Sequence, residues 1–223
     1  MLRKTVSAFQ RYVLFAVLFA SAAMDYPVQA TPARLRIVVL GDSISEGYGI
    51  EKSLSWPKIM ETELAKSFTP PPEVINAGIS GSTSASAPAR LKWLMKGKID
   101  LLVLALGGND GLRGVIPQET RKNLEATIAV AESAKIPTVL AGMMLPPNYG
   151  VKYTKEFKQI FPDLARMHHL TLVPFLLEGV GGEKSLNQAD GIHPNEKGHQ
   201  IVAGNVLKVV VPELQKLEKA AGR

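Results

Sequence analysis

The 223-residue chain contains no cysteine, and only 6% of its residues are aromatic. The absence of cysteine excludes disulfide bonds, thiol nucleophiles, cysteine-ligated zinc and lipid attachment to cysteine. The chain also lacks internal repeats, low-complexity tracts and a basic stripe interleaved with aromatic residues, so we expect no nucleic-acid partner. Its length is that of one domain with a substantial core.

The first thirty residues differ in character from the rest of the chain. Three cations precede an apolar stretch over residues 12–24, and residues 28–30 (Val-Gln-Ala) follow as a small-residue cleavage signature. These are the parts of a secretory signal peptide, and the stretch is shorter than the ~20 residues of a typical membrane span. We predict a signal peptide over residues 1–30 and a periplasmic or secreted domain over residues 31–223. An uncleaved N-terminal anchor is the alternative.

Five short apolar segments alternate with segments of helical spacing. The predicted strands are Leu35–Leu40, Glu73–Asn76, Leu101–Leu106, Thr138–Gly142 and Leu170–Val173. The predicted helices are Trp56–Ser67, Ala87–Met95, Gln118–Ala134, Thr154–His168 and Pro194–Val210. Strands without strict alternation, separated by helices, are typical of a parallel sheet covered on both faces. The sequence therefore predicts an α/β fold with a five-stranded parallel sheet.

Polar and glycine-rich motifs follow the predicted strands. Residues 41–43 (Gly-Asp-Ser) follow the first strand, residues 76–81 the second and residues 107–110 the third, while residues 190–193 (Asp-Gly-Ile-His) precede the last helix. Ligands of open α/β sheets bind beyond the carboxyl ends of the strands. We therefore expect these motifs to meet at one edge of the sheet.

Ser43 lies at a strand-to-helix turn, where backbone N–H groups are unpaired. Its hydroxyl is a weak nucleophile until a neighbouring base removes the proton, and His193 is the candidate base. Asp190, three positions earlier, is close enough to accept a hydrogen bond from the other ring nitrogen. A helix cap is the alternative role for Ser43, and an Asp-x-x-His pair alone is a weak signal.

Acyl transfer also needs donors directed at the oxyanion of the tetrahedral intermediate. Gly81 can supply a backbone N–H, Asn109 a side-chain amide, and Ser43 its own N–H. Taken alone, Asn109 is better interpreted as a turn residue in the Gly-Gly-Asn-Asp segment. The combination favours acyl transfer.

These motifs resemble those of the SGNH (GDSL) hydrolases. The matching residues are 41–45 (Gly-Asp-Ser-Ile-Ser), Gly81, Asn109, Asp190 and His193. Further segments resemble the multifunctional periplasmic acyl-thioesterase, lysophospholipase and arylesterase branch of that family: residues 76–84, 106–114, 145–150, 173–175 and 188–194. The resemblance covers essentially all of residues 31–223.

The resemblance implies a three-layer α/β/α flavodoxin-like fold and a catalytic triad of Ser43, His193 and Asp190. It also implies an oxyanion hole of the Ser43 and Gly81 amides with the Asn109 side chain, and no metal or cofactor. The implied function is hydrolysis of acyl esters and thioesters (aryl esters, acyl-CoA, lysophospholipids) through an acyl-serine intermediate. A carbohydrate O-acetylesterase and a non-catalytic envelope binding protein are the alternatives.

Three departures from the family pattern bear on specificity. Ile44 replaces leucine, which is a near-isosteric change. Gly78 stands where this branch usually carries serine. Ala105 and Met144 stand where Glu and Arg are expected, and their joint replacement predicts a more apolar pocket wall.

Two apolar segments are expected to form an acyl groove. Its candidate residues are Gly111, Leu112, Val115, Leu145, Pro146 and Tyr149. The glycine-flanked segment 111–117 is either a plain strand–helix connection or a mobile lip over an acyl chain. We expect a monomer acting on small acyl esters and thioesters. Residues 1–30 contain three Lys/Arg and one Asp, so residues 31–223 carry a net charge of +4. Because this positive charge favours anionic lipid surfaces, transient lipid contact is a further expectation.

Other polar residues are assigned structural roles. Asp42 is expected to shape the turn before Ser43, and Asp110 to form a loop. His168 is expected to stabilise a helix C-terminus. His199, within the last helix, is expected to be solvated.

Overall fold

The computed structural model describes residues 34–222, so the predicted signal peptide lies outside the described residues. The strands are β1 (Arg36–Gly41), β2 (Glu73–Asn76), β3 (Leu101–Ala105), β4 (Thr138–Ala141) and β5 (Thr171–Val173). The helices are α1 (Ser43–Glu46), α2 (Trp56–Leu64), α3 (Ala87–Leu94), α4 (Gly108–Leu112), α5 (Pro117–Ser133), α6 (Val151–Met167) and α7 (Glu196–Ala220).

The five strands form one parallel sheet in the order β2-β1-β3-β4-β5. Helices α2 and α7 pack on one face, and α3, α5 and α6 pack on the other. Because both faces are covered, the central strands β1 and β3 are almost entirely apolar and buried. The predicted three-layer α/β/α fold is confirmed. No helix within residues 34–222 combines the length and the apolarity of a membrane span.

The strand order places a switch point between β1 and β3. From β1 the chain winds outward to β2 in one direction, and from β3 it winds to β4 and β5 in the other. In this flavodoxin-like order, the crevice for a ligand opens beyond the carboxyl ends of the two strands at the switch point. The segments that follow β1 and β3 therefore border that crevice.

Most predicted elements differ from the observed ones by one to three residues at their ends, but the last helix differs more. It begins at Glu196 instead of Pro194, with Asn195 as its N-cap, and it continues to Ala220 instead of ending at Val210. Pro212 lies inside this helix and removes one backbone hydrogen bond. The helix continues because Leu214, one turn beyond Val210, is fully buried against the core.

We expect Leu214→Ala to lower the free energy of unfolding by about 2–5 kcal/mol, because it leaves a cavity beneath the last turns of α7. Chemical denaturation measures this change. Gln215→Ala is the matched control: Gln215 is exposed in the same turn, and its loss should change stability by less than about 0.5 kcal/mol. Equal effects of the two variants would contradict the packing described for this helix.

Candidate active site

Ser43 is the first residue of α1, directly beyond the end of β1. The turn is shaped by Asp42, whose Oδ1 accepts the Ile44 N–H at 3.0 Å, as the sequence predicts. The N–H groups at the start of a helix have no partners within that helix. The nucleophile candidate therefore presents both its hydroxyl and its own N–H at the edge of the sheet.

A chain of two hydrogen bonds links Ser43 to Asp190. His193 Nε2 lies 2.9 Å from Ser43 Oγ, and His193 Nδ1 lies 2.7 Å from Asp190 Oδ2. With the Asp190 carboxylate ionised, Nδ1 carries the ring proton and donates it to Asp190. Nε2 is then left as the acceptor for the Ser43 hydroxyl.

Asp190 is held in place by its own backbone neighbours. Its Oδ1 accepts the N–H groups of Ile192 at 2.9 Å and His193 at 3.0 Å. Partial burial by itself raises the pKa of this carboxyl. The hydrogen bonds from the His193 backbone and ring and from Ile192 outweigh that effect and lower the Asp190 pKa to about 2. The carboxylate is therefore ionised at neutral pH and fixes the tautomer of His193.

His199 is buried, and the expectation that it is solvated was wrong. Only 1% of its surface is exposed, and its Nδ1 accepts the Trp56 N–H at 3.1 Å, which ties α7 to the start of α2. Burial, with a smaller contribution from His193, lowers the pKa of His199 to about 4. His199 is thus a neutral acceptor that anchors α7, the helix that follows the loop of Asp190 and His193.

Asp42 is a second carboxyl close to Ser43. Its burial raises its pKa to about 6, although the Ile44 N–H and the charges of His193 and Arg90 act in the opposite direction. Arg90, on α3, donates to the carbonyl oxygens of Gly41, at 3.0 Å, and Ala77. The guanidinium therefore joins the end of β1 to the residue that follows β2.

The structure also brings Gly81 and Asn109 to this edge. Asn109 Nδ2 donates to the Ser82 carbonyl at 3.0 Å, next to Gly81 in the chain. Gly108, which precedes Asn109, lies against the Asp42 carboxylate. Gly81 has a φ of 76°, a left-handed conformation that favours glycine. Gly81 and Asn109 therefore lie in adjoining segments, which follow β2 and β3.

A largely apolar cavity of about 360 Å³ opens beside these residues. Its lining combines Ile44 and Gly108, from the short helices α1 and α4 that follow β1 and β3, with the segments after β4 and β5. Those further residues include Met143, Met144, Leu145, Pro146, Phe175 and Leu177. Leu112, at the end of α4, and Ile192, beside His193, also line the cavity.

Three of the six predicted groove residues line this cavity, namely Leu112, Leu145 and Pro146. Gly111, Val115 and Tyr149 are not among the described lining residues. Gly111 packs directly against the Leu145 side chain, so it shapes the wall from behind.

Two tyrosines hold the segment that was expected to be a connection or a mobile lip. The Tyr149 hydroxyl donates to the Leu112 carbonyl at 3.2 Å. The Tyr153 hydroxyl lies 2.7 Å from the Val115 carbonyl and 3.2 Å from the Gly111 carbonyl. The hydrogen bonds of this segment favour a fixed wall over a mobile lip.

Met144, Asp110 and His168 each contact the segments around the cavity or the helix ends in a defined way. Met144 lines the cavity and Ala105 is buried at the end of β3, which agrees with an apolar wall. Asp110 lies in α4 instead of a loop, and its buried carboxylate accepts the N–H and the hydroxyl of Ser84, so it joins α4 to the segment before α3. His168 caps α6 and contacts Glu132 on α5, with 2.9 Å between Nδ1 and Oε1.

Sequence reasoning missed Tyr48, Arg90 and the burial of His199. The Tyr48 ring packs against the His193 ring, with 4.7 Å between the ring centroids. The burial of His199 was readable from the helical spacing it shares with Val202 and Val206. No sequence signal marked Tyr48 or Arg90, because their partners belong to distant segments.

Within residues 34–222, no group of three or more His, Cys, Asp or Glu side chains is arranged to hold a metal ion. The described hydrogen bonds instead lead from one carboxylate through one imidazole to one hydroxyl. Such an arrangement can remove a proton from the hydroxyl and return it to a leaving group.

The pKa of His199 predicts a pH-dependent stability. Between its ordinary value of 6.5 and the folded value of about 4, the unfolded chain binds a proton that the folded protein does not. The wild-type protein therefore loses stability as the pH falls through this range, by up to about 3 kcal/mol. His199→Gln keeps an acceptor but cannot be protonated. We expect its stability deficit at pH 7.5 to shrink or invert by pH 4.

Denaturation of both proteins across pH 4–7.5 measures the difference. Asp42 and Asp190 are present in both proteins, so their contributions cancel. A deficit that stayed constant over this range would show that His199 titrates normally in the folded state.

A sequence model of the GDSL-like lipase/acylhydrolase family matches residues 39–201. The esterase TesA of Pseudomonas aeruginosa is 42% identical over 181 residues, which are 80% of this chain and 89% of that protein. The thioesterase 1/protease 1/lysophospholipase L1 of Escherichia coli K12 is 37% identical over 202 residues, covering 89% of this chain and 90% of that protein.

A solved structure gives the same result. The crystal structure of TesA superposes with a TM-score of 0.75 at 40% identity, covering 82% of this chain and 99% of that one. The family resemblance seen in the motifs is confirmed by these similarities. The chain therefore belongs to the GDSL-like lipase/acylhydrolase family, and it is an acyl-ester hydrolase.

Proposed function

We propose that this chain hydrolyses acyl esters and thioesters through an acyl-Ser43 intermediate. The observation that carries the proposal is the hydrogen-bonded chain Asp190–His193–Ser43 next to an apolar cavity, which the neighbouring residues Ile44 and Ile192 line. The relatives named above, an esterase and a thioesterase, support the same substrate class.

In the first half of the reaction, Ser43 Oγ attacks the acyl carbonyl carbon while His193 Nε2 takes the hydroxyl proton. The tetrahedral intermediate collapses when His193 returns that proton to the departing alkoxide or thiolate. Water then enters, gives a proton to His193, and attacks the acyl-enzyme. The second tetrahedral intermediate collapses as the bond to Ser43 Oγ breaks and His193 returns the proton to that oxygen, so the products are a carboxylic acid and free Ser43. Asp190 stabilises the imidazolium in both halves without being protonated.

The oxyanion hole comprises the Ser43 and Gly81 N–H groups and the Asn109 side chain. The hydrogen bond from Asn109 Nδ2 to the Ser82 carbonyl orients the amide. An amide nitrogen carries two N–H groups, so the second remains for the substrate oxyanion. Donors fixed in advance stabilise developing charge without reorganising during the reaction.

The cavity receives the acyl chain. Its lining beyond Ile44 and Gly108 is supplied mainly by leucine, methionine, proline and phenylalanine side chains. These groups offer an acyl chain dispersion contacts and burial from water, and few hydrogen bonds to a sugar hydroxyl. We therefore place medium and long acyl groups ahead of acetyl groups as substrates.

The leaving group has fewer constraints. The oxyanion hole acts on the carbonyl oxygen, which esters and thioesters share, so one site serves both alkoxide and thiolate departure. Aryl esters, acyl-CoA and lysophospholipids all satisfy this condition. The Tyr48 ring is half exposed and packs against His193, so it offers an aromatic surface next to the imidazole that returns the proton to the leaving group.

A carbohydrate O-acetylesterase is the second candidate from the motifs, but the apolar cavity does not favour it. A non-catalytic binding protein has less support, because each triad residue is present and in contact. The signal-peptide motif of residues 1–30 supports a periplasmic or secreted location. A monomeric state and transient lipid contact complete the proposal.

We expect Ser43→Ala to lower kcat/KM by a factor on the order of 10³ or more, because no other group can form the acyl-enzyme. The measurement uses residues 31–223 with p-nitrophenyl esters from acetyl to palmitoyl, and with palmitoyl-CoA. Activity on medium or long chains that the variant lacks is the expected result.

Two other outcomes would change the assignment. Activity confined to acetyl esters would favour the carbohydrate O-acetylesterase. A folded wild-type protein without activity on any of these substrates would favour the binding protein.

Met144 provides a test of the apolar wall. Met144→Arg places a cation in the cavity, where Ala105 offers it no carboxylate partner. We expect the ratio of p-nitrophenyl palmitate to p-nitrophenyl acetate hydrolysis to fall by a factor of about ten. Met144→Leu, which preserves volume and polarity, should leave the ratio within about twofold. An unchanged ratio in Met144→Arg would place the acyl chain elsewhere.

A further inference from the structure

The loop that carries Gly81 (residues 77–82, here the Gly81 loop) lies on the surface. Ile79, Ser80 and Gly81 are all exposed. An oxyanion donor acts only when it lies within about 2.7–3.1 Å of the developing charge. The contacts that hold this loop in place therefore decide whether the Gly81 N–H is positioned for the reaction.

Glu46, the last residue of α1, accepts hydrogen bonds from the Gly81 loop. Its Oε2 accepts the Ser80 N–H at 2.7 Å and also accepts the Ser80 hydroxyl. Its Oε1 accepts from Lys52 Nζ at 3.0 Å. The hydrogen bond from the Ser80 hydroxyl, followed by that from Lys52, lowers the pKa of Glu46 to about 2. The carboxylate is therefore ionised at neutral pH and accepts from both directions.

Gly78 lets the loop approach α1 closely enough for this contact. A Cβ atom at this position would lie 2.8 Å from the Asp42 carbonyl oxygen and closer still to the Glu46 nitrogen. The serine usual in this branch of the family therefore does not fit here without a shift of the backbone. This departure from the family pattern accompanies a loop packed directly on the nucleophile's helix.

Other contacts restrain the two ends of the loop. Asn76 Nδ2 donates to the Ser45 carbonyl at 2.7 Å, just before the loop begins. Arg113 Nη2 donates to the Gly81 carbonyl at 3.0 Å, on the far side. Between these ends, Glu46 contacts Ser80, the residue directly before Gly81.

We propose that Glu46 is a positioning residue of the oxyanion hole, which sets the separation between the Ser43 and Gly81 N–H groups. Ser43 and Glu46 are three residues apart on one short helix, so a single carboxylate connects the nucleophile's helix to the neighbour of the second donor. The inference rests on the role proposed above for Gly81.

A positioning role predicts a particular kinetic signature. The oxyanion forms in the transition state and not in the bound substrate, so a displaced donor lowers kcat and leaves KM nearly unchanged. Because Glu46 and its partners are largely on the surface, its removal should affect folding little. A contact that served only stability would give the opposite pattern.

The test compares wild type, Glu46→Ala, Glu46→Gln and the control Glu51→Ala, which removes an exposed glutamate five residues further on. The readouts are kcat and KM for p-nitrophenyl butyrate, the thermal midpoint, and the inhibition constant of an alkylboronic acid. Boron forms a bond with Ser43 Oγ while the hydroxyl proton passes to His193, so the adduct reproduces the tetrahedral intermediate.

We expect Glu46→Ala to lower kcat about tenfold and to weaken boronic acid binding by the same factor, with KM within about twofold. Glu46→Gln should recover activity to within about threefold of wild type, because its amide oxygen still accepts from Ser80. Glu51→Ala should match wild type, and all four proteins should share nearly the same thermal midpoint.

Each other outcome has a distinct meaning. An active wild type whose Glu46→Ala variant keeps its kcat and boronic acid affinity would overturn the inference and leave the proposed function intact. A loss of activity that follows a lowered thermal midpoint, or that lies in KM alone, would also overturn it. A folded wild type that neither hydrolyses esters nor binds the boronic acid would overturn the proposed function and the inference together.

Discussion

The hydrogen bond between Ser43 Oγ and His193 Nε2 joins side chains that are 150 positions apart in the chain. It requires two independent placements: α1 must begin directly beyond β1, and the loop before α7 must return to the same edge of the sheet. The first follows from the Asp42 cap. The second depends on α7 being anchored on α2, where His199 accepts the Trp56 N–H. The contact between Ser43 and His193 is therefore a consequence of helix packing on one face of the sheet.

The buried carboxyl next to Ser43 lies close to opposite charges. Asp42 is fully enclosed and its pKa is raised to about 6, and the structure places Arg90 and His193 near enough to oppose that rise. Arg90 also binds the carbonyls that end β1 and begin the Gly81 loop. Burying a polar or charged group costs free energy unless the group has hydrogen-bond partners. The contacts of Asp42 and Arg90 with the backbone are therefore favoured, and they constrain the segments that supply those partners. The cavity beside these groups is, by contrast, lined by non-ionisable side chains.

The positions that depart from the family pattern differ in how far sequence could explain them. The apolar side chains of Ala105 and Met144 are enough to predict an apolar pocket wall, and Met144 does line the cavity. Gly78 could be recognised as unusual but not explained, since its explanation is the backbone of α1 lying against it. No sequence pattern marked the contact between Glu46 and the Gly81 loop, because its partner Ser80 is 34 positions away. Sequence reasoning thus reaches roles that follow from residue type and misses those that follow from contacts between loops.

The sequence by itself determined the parallel sheet, the order of its elements and the set of candidate residues, because hydrophobic spacing and turn chemistry are local properties of the chain. Motifs that follow strands of a parallel sheet necessarily meet at one edge, so even the grouping of Ser43, Gly81 and Asn109 was accessible. Only the tertiary structure decided that His199 is a buried anchor, that α7 continues through Pro212, and that tyrosines hold the wall of the cavity. Those features depend on which distant segment supplies the opposing surface, and burial and hydrogen-bond partners exist only once the elements have packed.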